Sequence, residues 1–188
     1  EMCIRDRYWY ISNFAKYVCK GPGAETWLNS VFANKIPNSI GQSCLTPLIS
    51  VYGGVAGDAT VTKVGDSEFW IVSSGIAERY QKRFFNSVEL PRETTFRSKT
   101  VDMCGFNIAG PKSREMLQRL SNQDLSNNNW PFMHSGQLSI AGVECLALRI
   151  SFSGDLGWEI YCDTEYQEII YKTLIKASII ENGGPVGC

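Results

Sequence analysis

Phe14-Ala15-Lys16-Tyr17-Val18-Cys19-Lys20-Gly21-Pro22-Gly23-Ala24 is an apolar run that meets a Gly-Pro turn, after which Ala24, Trp27, Leu28, Val31 and Phe32 recur at helical spacing. A proline just inside a helix start suits a position whose N–H has no partner within the helix, so the stretch reads as strand, tight turn, helix. The same grammar returns later in the chain. Phe106 to Ala109 runs into Gly110-Pro111, and Met116, Leu117 and Leu120 follow at helical spacing. Each copy has a small residue soon after the Gly-Pro and a leucine one helical turn further on. This repetition predicts a duplicated strand–turn–helix module.

The segments around the two copies fit one plan. Asp58 to Val64 and Glu68 to Val72 read as a hairpin across Gly65-Asp66, followed by a helix from Ala77 to Phe85. Gln137 to Ile140 and Glu144 to Phe152 read as a second hairpin across Ala141-Gly142. Trp158 to Cys162 then leads to a helix from Glu165 to Ala177. The predicted class is α+β, with mixed antiparallel sheets and helices on one side of them. No G-x-G-x-x-G follows any strand, which argues against a nucleotide-binding fold within these residues.

The chain has 188 residues, 44% of them hydrophobic, which is ample for a packed core. Its 18 Lys+Arg and 19 Asp+Glu leave a formal net charge of -1, so nothing draws the whole surface to nucleic acid or to an anionic membrane. The apolar run from Val143 to Ile150 is broken by Glu144 and Arg149 and is too short to span a bilayer. Seven cysteines, an odd number without a C-x-x-C pair, read as buried free thiols of a reducing compartment, cytosolic or matrix. The single histidine, His134, lacks the companions that a metal site needs, so no metal is expected. Arg79, Lys82 and Arg83 form a basic helix face of the kind that is usually solvated.

Residues 1–7 resemble the translation of a sequencing adapter rather than a targeting signal and are expected to lie outside the native fold. Asn182 to Cys188 opens a turn without a closing element, so truncation is expected there. The expected domain is therefore 8–188, as the N-terminal part of something longer.

Two acids stand beside glycines. Asp58 closes Gly53-Gly54-Val55-Ala56-Gly57-Asp58, and Glu159 closes Gly154-Asp155-Leu156-Gly157-Trp158-Glu159. Glycines let a flat ligand approach the backbone, and both acids fall near a strand start, which suggests a ligand site shared by two strands. From spacing alone, Asp58 is either a turn-capping aspartate or a base and anchor. Glu159 lies in an apolar strand, where a charge needs a partner. It is either a salt-bridge partner of a residue such as Arg149 or an acceptor for two parallel donors, from an arginine or from the edge of a pterin.

The ordered set Gly21-Pro22-x-Ala24, Gly53-Gly54-x-x-x-Asp58-x-Thr60-Val61, Ile71-Val72-Ser73-Ser74, Gly110-Pro111, Asp124-Leu125-Ser126, Pro131-Phe132-Met133 and Arg149-x-Ser151-Phe152-Ser153-Gly154-Asp155-Leu156-Gly157-Trp158-Glu159 resembles the folate-binding aminomethyltransferase family. That family includes the T-protein of the glycine cleavage system. The Asp-Leu-Ser and Pro-Phe-Met segments are more similar to the folate-binding C-terminal parts of dimethylglycine and sarcosine dehydrogenases. The resemblance runs from Ser12 to Gly187.

The resemblance implies a tetrahydrofolate cofactor. The aspartate matching Asp58 lies beside the reactive folate nitrogens, and the glutamate matching Glu159 holds the pterin edge. Thr60, Val72 and Ser74 match pocket-lining positions, with Ser74 in place of a common amide. Phe152 stands where many members have a tyrosine, and Ser50 where an asparagine is common. The implied activity is one-carbon transfer from an iminium or a small N-methyl amine to give methylene-tetrahydrofolate, with FAD confined to a missing upstream domain and a further β-domain expected after Cys188. Two alternatives are a stand-alone aminomethyltransferase and a non-catalytic relative that resembles the regulatory subunit of pyruvate dehydrogenase phosphatase. Neither nucleic acid nor membrane is an implied partner.

Overall fold

The computed structural model describes residues 7–50, 52–180 and 184–185. In chain order the strands and helices are β1 (Arg7–Tyr10), β2 (Ala15–Lys20), α1 (Ala24–Val31), β3 (Ser43–Ile49), β4 (Val55–Gly65), β5 (Glu68–Ser73), α2 (Glu78–Asn86), β6 (Thr95–Ser98), β7 (Met103–Ala109), α3 (Ser113–Leu120), β8 (Ser135–Ile140), β9 (Val143–Leu148), β10 (Gly157–Asp163), α4 (Gln167–Ile180) and β11 (Gly184–Pro185). A short 3-10 turn, Thr164–Tyr166, leads into α4.

Asn13–Val101 forms one unit, and the flanking residues up to Ser12 and from Asp102 form another. The first holds a five-stranded sheet in the order β3-β4-β5-β2-β6, and the second a six-stranded sheet in the order β11-β1-β7-β10-β9-β8. Read in the opposite sense, the second sheet places β8, β9, β10, β7 and β1 where the first places β3, β4, β5, β2 and β6. The duplication expected from the two Gly-Pro turns is thus carried by whole units, each with two helices against one face of its sheet.

The two turns agree in detail. Gly21 and Gly110 have φ of 135° and 136°, a backbone that side-chain-bearing residues rarely adopt. Each carbonyl accepts from the N–H three residues on, Ala24 at 3.0 Å and Ser113 at 3.2 Å. A side chain at Gly21 would place its Cβ 2.2 Å from the Glu93 carbonyl oxygen, so only glycine fits.

In the Asn13–Val101 unit, Trp27, Leu28 and Val31 of α1 and Phe85 of α2 pack on Tyr17, Cys19, Val61, Phe69 and Ile71. In the other unit, Met116 and Leu117 of α3 and Ile170, Leu174 and Ala177 of α4 cover Phe106, Ile108, Ala147, Trp158 and Ile160. Each large side chain buried this way stabilises the fold by about 1.5–3 kcal/mol. The burial does not stop at the helix-covered faces. All of β10 except Asp163, and all of β5 except Glu68, is buried, so residues of both parities are out of solvent.

Several boundaries differ from expectation. The strand expected to begin at Asp58 begins at Val55, so Asp58 lies inside β4. The strand expected to reach Phe152 ends at Leu148, although Arg149 still exchanges backbone bonds with Met133 and His134. Beyond it the chain turns through Ser153-Gly154-Asp155, where Ser153 Oγ donates to the Asp155 carboxylate. Phe32 leaves α1 in an extended conformation and bridges to Leu48. The strands β1, β3 and β6 have no counterpart in the sequence-based expectation. β3 carries Pro47 and is an edge strand, where a missing N–H is tolerated. Of residues 1–7 only Arg7 is described, and it starts β1 and pairs with Ala109; of Asn182 to Cys188 only Gly184 and Pro185 are described, and the rest lie outside the described residues.

Candidate functional site

In the Asn13–Val101 unit, antiparallel pairing fixes which side chains share a face. Thr60 opposes Val72, which opposes Lys16, so these three form one row across β4, β5 and β2. Asp58 is two residues before Thr60 on the same strand and projects from the same face, because side chains alternate along a strand. Ser74 directly follows β5 beside this row. Four residues singled out from sequence, Asp58, Thr60, Val72 and Ser74, are therefore brought together on the face away from α1 and α2. Val72 is buried, Thr60 is half-buried, and Asp58 and Ser74 are exposed. The Asp58 carboxylate forms no ion pair or hydrogen bond among the described residues, which leaves both oxygens for a ligand.

The opposite face grips the Asp58 backbone. Ser73 Oγ donates to the carbonyl oxygen of Asp58. Gln81 Nε2 of α2 donates to Ser73 Oγ at 2.6 Å, and Tyr17 donates to Gln81 Oε1 at 3.2 Å. Gln81 is fully buried, and sequence reading missed it because a glutamine on a charged helix gives no signal. Ser50 accepts from Gly53 through its carbonyl and from Gly54 through its Oγ, closing the loop that leads into β4. On α2, Lys82 pairs with Glu78 at 2.6 Å, so that part of the basic face is structural.

In the other unit Glu159 is 4% exposed in β10. Its parity is opposite to Trp158 and Ile160, which places it on the face away from α3 and α4. Tyr161 donates its hydroxyl to Glu159 Oε2 at 2.7 Å. Burial raises the Glu159 carboxyl from its usual 4.5 to about 7, and the Tyr161 hydrogen bond only partly opposes this. Arg149 is not its partner. The Arg149 guanidinium donates to the Trp130 carbonyl and stands 5.9 Å from the Trp158 ring centroid, against a side chain of the other parity.

A residue missed from sequence lies directly opposite. Asn107 on β7 pairs in register with Glu159, is 1% exposed, and its Oδ1 has no hydrogen-bond partner among the described residues. A buried acceptor without a donor costs about 1–3 kcal/mol. Glu159, which already accepts from Tyr161, and Asn107, whose Oδ1 is unsatisfied, thus stand as buried acceptors side by side on neighbouring strands. Phe152, by contrast, is 84% exposed in the loop between β9 and β10.

Gly105 makes room for Tyr161. A Cβ there would lie 2.7 Å from the Tyr161 ring and 3.0 Å from Ile11. Gly105→Ala is expected to destabilise the protein by about 1–3 kcal/mol in urea unfolding, as overpacking does, by pushing the ring from Glu159. An unchanged midpoint would contradict this.

His134 is half-buried against Trp130, with ring centroids 5.3 Å apart, and burial lowers its pKa. No group of three metal-ligating side chains occurs among the described residues. Cys19, Cys104, Cys145 and Cys162 are buried free thiols, as expected, and Cys44 is partly buried. Among the described residues no helix is long and apolar enough to cross a membrane.

The chain is similar to several known proteins. A family model described as the GCVT N-terminal domain matches residues 8–188. The mitochondrial dimethylglycine dehydrogenase of Homo sapiens is 28% identical over 169 residues, 89% of this chain and 19% of that protein. The aminomethyltransferase of Thermoanaerobacter sp. (strain X514) is 26% identical over 167 residues, 88% of this chain and 45% of that protein. The chain thus spans about a fifth of the one relative and under half of the other. Among solved structures, the glycine cleavage system aminomethyltransferase T from Bartonella henselae superposes with a TM-score of 0.80 at 17% identity, over 92% of this chain and 46% of that one. That likeness concerns the fold, α+β with antiparallel sheets and flanking helices.

Proposed function

The chain belongs to the GCVT N-terminal domain family, and from that membership we propose that residues 8–188 form a tetrahydrofolate-dependent module for one-carbon transfer. The observation that carries the reading is the buried pair of acceptors, Glu159 and Asn107, on neighbouring strands. The aminopyrimidinone edge of a pterin is flat and rich in N–H donors, which suits such a pair of acceptors. Glu159 accepts two parallel donors in its ionised form, and Asn107 Oδ1 accepts another. Thr60, Val72 and Ser74 line the face from which Asp58 projects, and Phe152 offers an exposed ring for packing. When bound, tetrahydrofolate supplies the nitrogen that captures the one-carbon unit. By the family resemblance alone, Asp58 is the group assigned to orient that nitrogen and take up its proton. Holding the reactants together provides most of the rate advantage, because an iminium hydrolyses in water unless it is captured promptly.

The substrate of this reading is an iminium or a small N-methyl amine derivative, and the product is methylene-tetrahydrofolate with a demethylated amine. The relatives named dehydrogenases support a longer protein in which a preceding FAD domain makes the iminium, in the cytoplasm or the mitochondrial matrix. The relatives named aminomethyltransferases support the alternative, a carrier-delivered aminomethyl donor without a flavin. Both use the same folate site.

Isothermal calorimetry of the full chain with tetrahydrofolate tests the proposal. Saturable one-to-one binding is the expected result. An absence of binding at millimolar folate would remove its basis.

A further inference from the structure

We propose that Gln81 is a positioning residue for Asp58, acting through Ser73 to fix the peptide that carries the reactive carboxylate; this rests on the reading of Asp58 given above. The hydrogen bonds run in one direction. Tyr17 donates to Gln81 Oε1 at 3.2 Å, Gln81 Nε2 donates to Ser73 Oγ at 2.6 Å, and Ser73 donates to the Asp58 carbonyl. The polarity is self-consistent, since each group uses a donor on one side and an acceptor on the other. Burial, with Glu78 adding to it, pushes the Tyr17 hydroxyl well above its usual value, so it stays a donor. Tyr17 is itself locked, edge-on to Phe85 at 5.4 Å and stacked on Phe96 at 5.2 Å. The relay therefore begins in the rigid aromatic core and ends on one backbone carbonyl.

That endpoint is what makes the relay more than a way to satisfy buried polar groups. Ala15, Ser73 and Ala59 stand in one row across β2, β5 and β4 on the helix-covered face, and the Asp58 carbonyl lies at the edge of that row. The Asp58 side chain leaves from the other face. It has no partner of its own among the described residues, so its position is set by the peptide beneath it. A carboxylate without side-chain anchors is aimed by its backbone, and a shift of about 1 Å at a reacting group can cost about a hundredfold in rate.

The test is a double-mutant cycle in the full chain, using Gln81→Met, Asp58→Asn and the double variant. The readouts are the single-turnover rate of one-carbon transfer, the dissociation constant for tetrahydrofolate, and the melting curve. Gln81→Met is expected to slow transfer about tenfold while changing folate affinity less than about twofold. In the Asp58→Asn background the same change is expected to have no further effect, the non-additivity that marks residues acting as a unit. Ser73→Ala, a smaller change, is expected to reproduce the rate effect if Gln81→Met folds poorly. Wild-type rates in both Gln81→Met and Ser73→Ala would overturn the proposal. So would additive effects in the cycle, or losses of rate and affinity in equal proportion. A normal rate in Asp58→Asn with a slow Gln81→Met would instead defeat the role given to Asp58, and the positioning role with it.

Discussion

Asp58→Asn is expected to lower the single-turnover rate of one-carbon transfer by about a hundredfold, the lower range of what a positioned proton-transfer group contributes. Folate affinity should change by less than about threefold. Asparagine has nearly the same shape and keeps one acceptor oxygen, so the contacts of β4 survive, while the charge and the basic site are lost. The Asp58 carboxylate is exposed and has no partner among the described residues, so its removal leaves no buried donor unsatisfied and should hardly change stability. Rapid-mixing measurement with a preloaded one-carbon donor separates the chemical step from binding. Equal rates for the two proteins would contradict the role.

Glu159→Gln is expected to change both stability and binding, in opposite directions. The folded carboxyl titrates near 7 rather than at its usual 4.5. A carboxyl raised by folding binds its proton more tightly in the folded than in the unfolded chain. Its contribution is therefore fully present below about pH 4.5 and is lost as pH rises through about 7. A tenfold difference in proton affinity is worth about 1.4 kcal/mol, so the loss across this range amounts to about 3 kcal/mol. Glutamine cannot ionise, so above pH 7 the ligand-free variant should unfold at higher urea than the wild type, and the difference should vanish near pH 4. A difference that does not change with pH would refute the assignment.

Binding should move the other way. If N–H donors of the ligand pair with the ionised form, wild-type folate affinity rises with pH up to about 7 and then levels off. The glutamine variant should bind about a hundredfold more weakly at pH 8, as expected for loss of a charge-assisted pair of bonds, and should lose the pH dependence. Calorimetry at pH 6 and pH 8 gives both numbers. A buried acid that weakens the free protein and strengthens the complex is what a ligand-holding carboxylate should look like.

Local chemistry made much of this readable in advance. The Gly-Pro turns could be recognised because glycine at φ near 135° and proline at a helix start each have a backbone reason to be there. Their repetition foretold two related units before any pairing was known. Helices α1 and α3 followed from 3.6-residue periodicity. Edge strands β3 and β6 escaped because Pro47 and the polar Thr95-Phe96-Arg97-Ser98 carry no clear alternation, and their place in the sheet is decided by neighbours far away in sequence.

The sequence by itself determined which residue types were available and where the chain turns: the strand–turn–helix repeat, the glycine-flanked acids, and a strand too apolar to hold Glu159 without a partner. Only the tertiary structure decided which side chains face one another. Arg149 gave way to Tyr161 as the partner of Glu159, Asn107 came to stand opposite Glu159, and Gln81 came to reach Asp58 through Ser73. The physical reason is register. Side chains alternate along a strand, so one residue of slip exchanges the two faces, and register between distant strands is set by the packing of the whole sheet rather than by any local stretch.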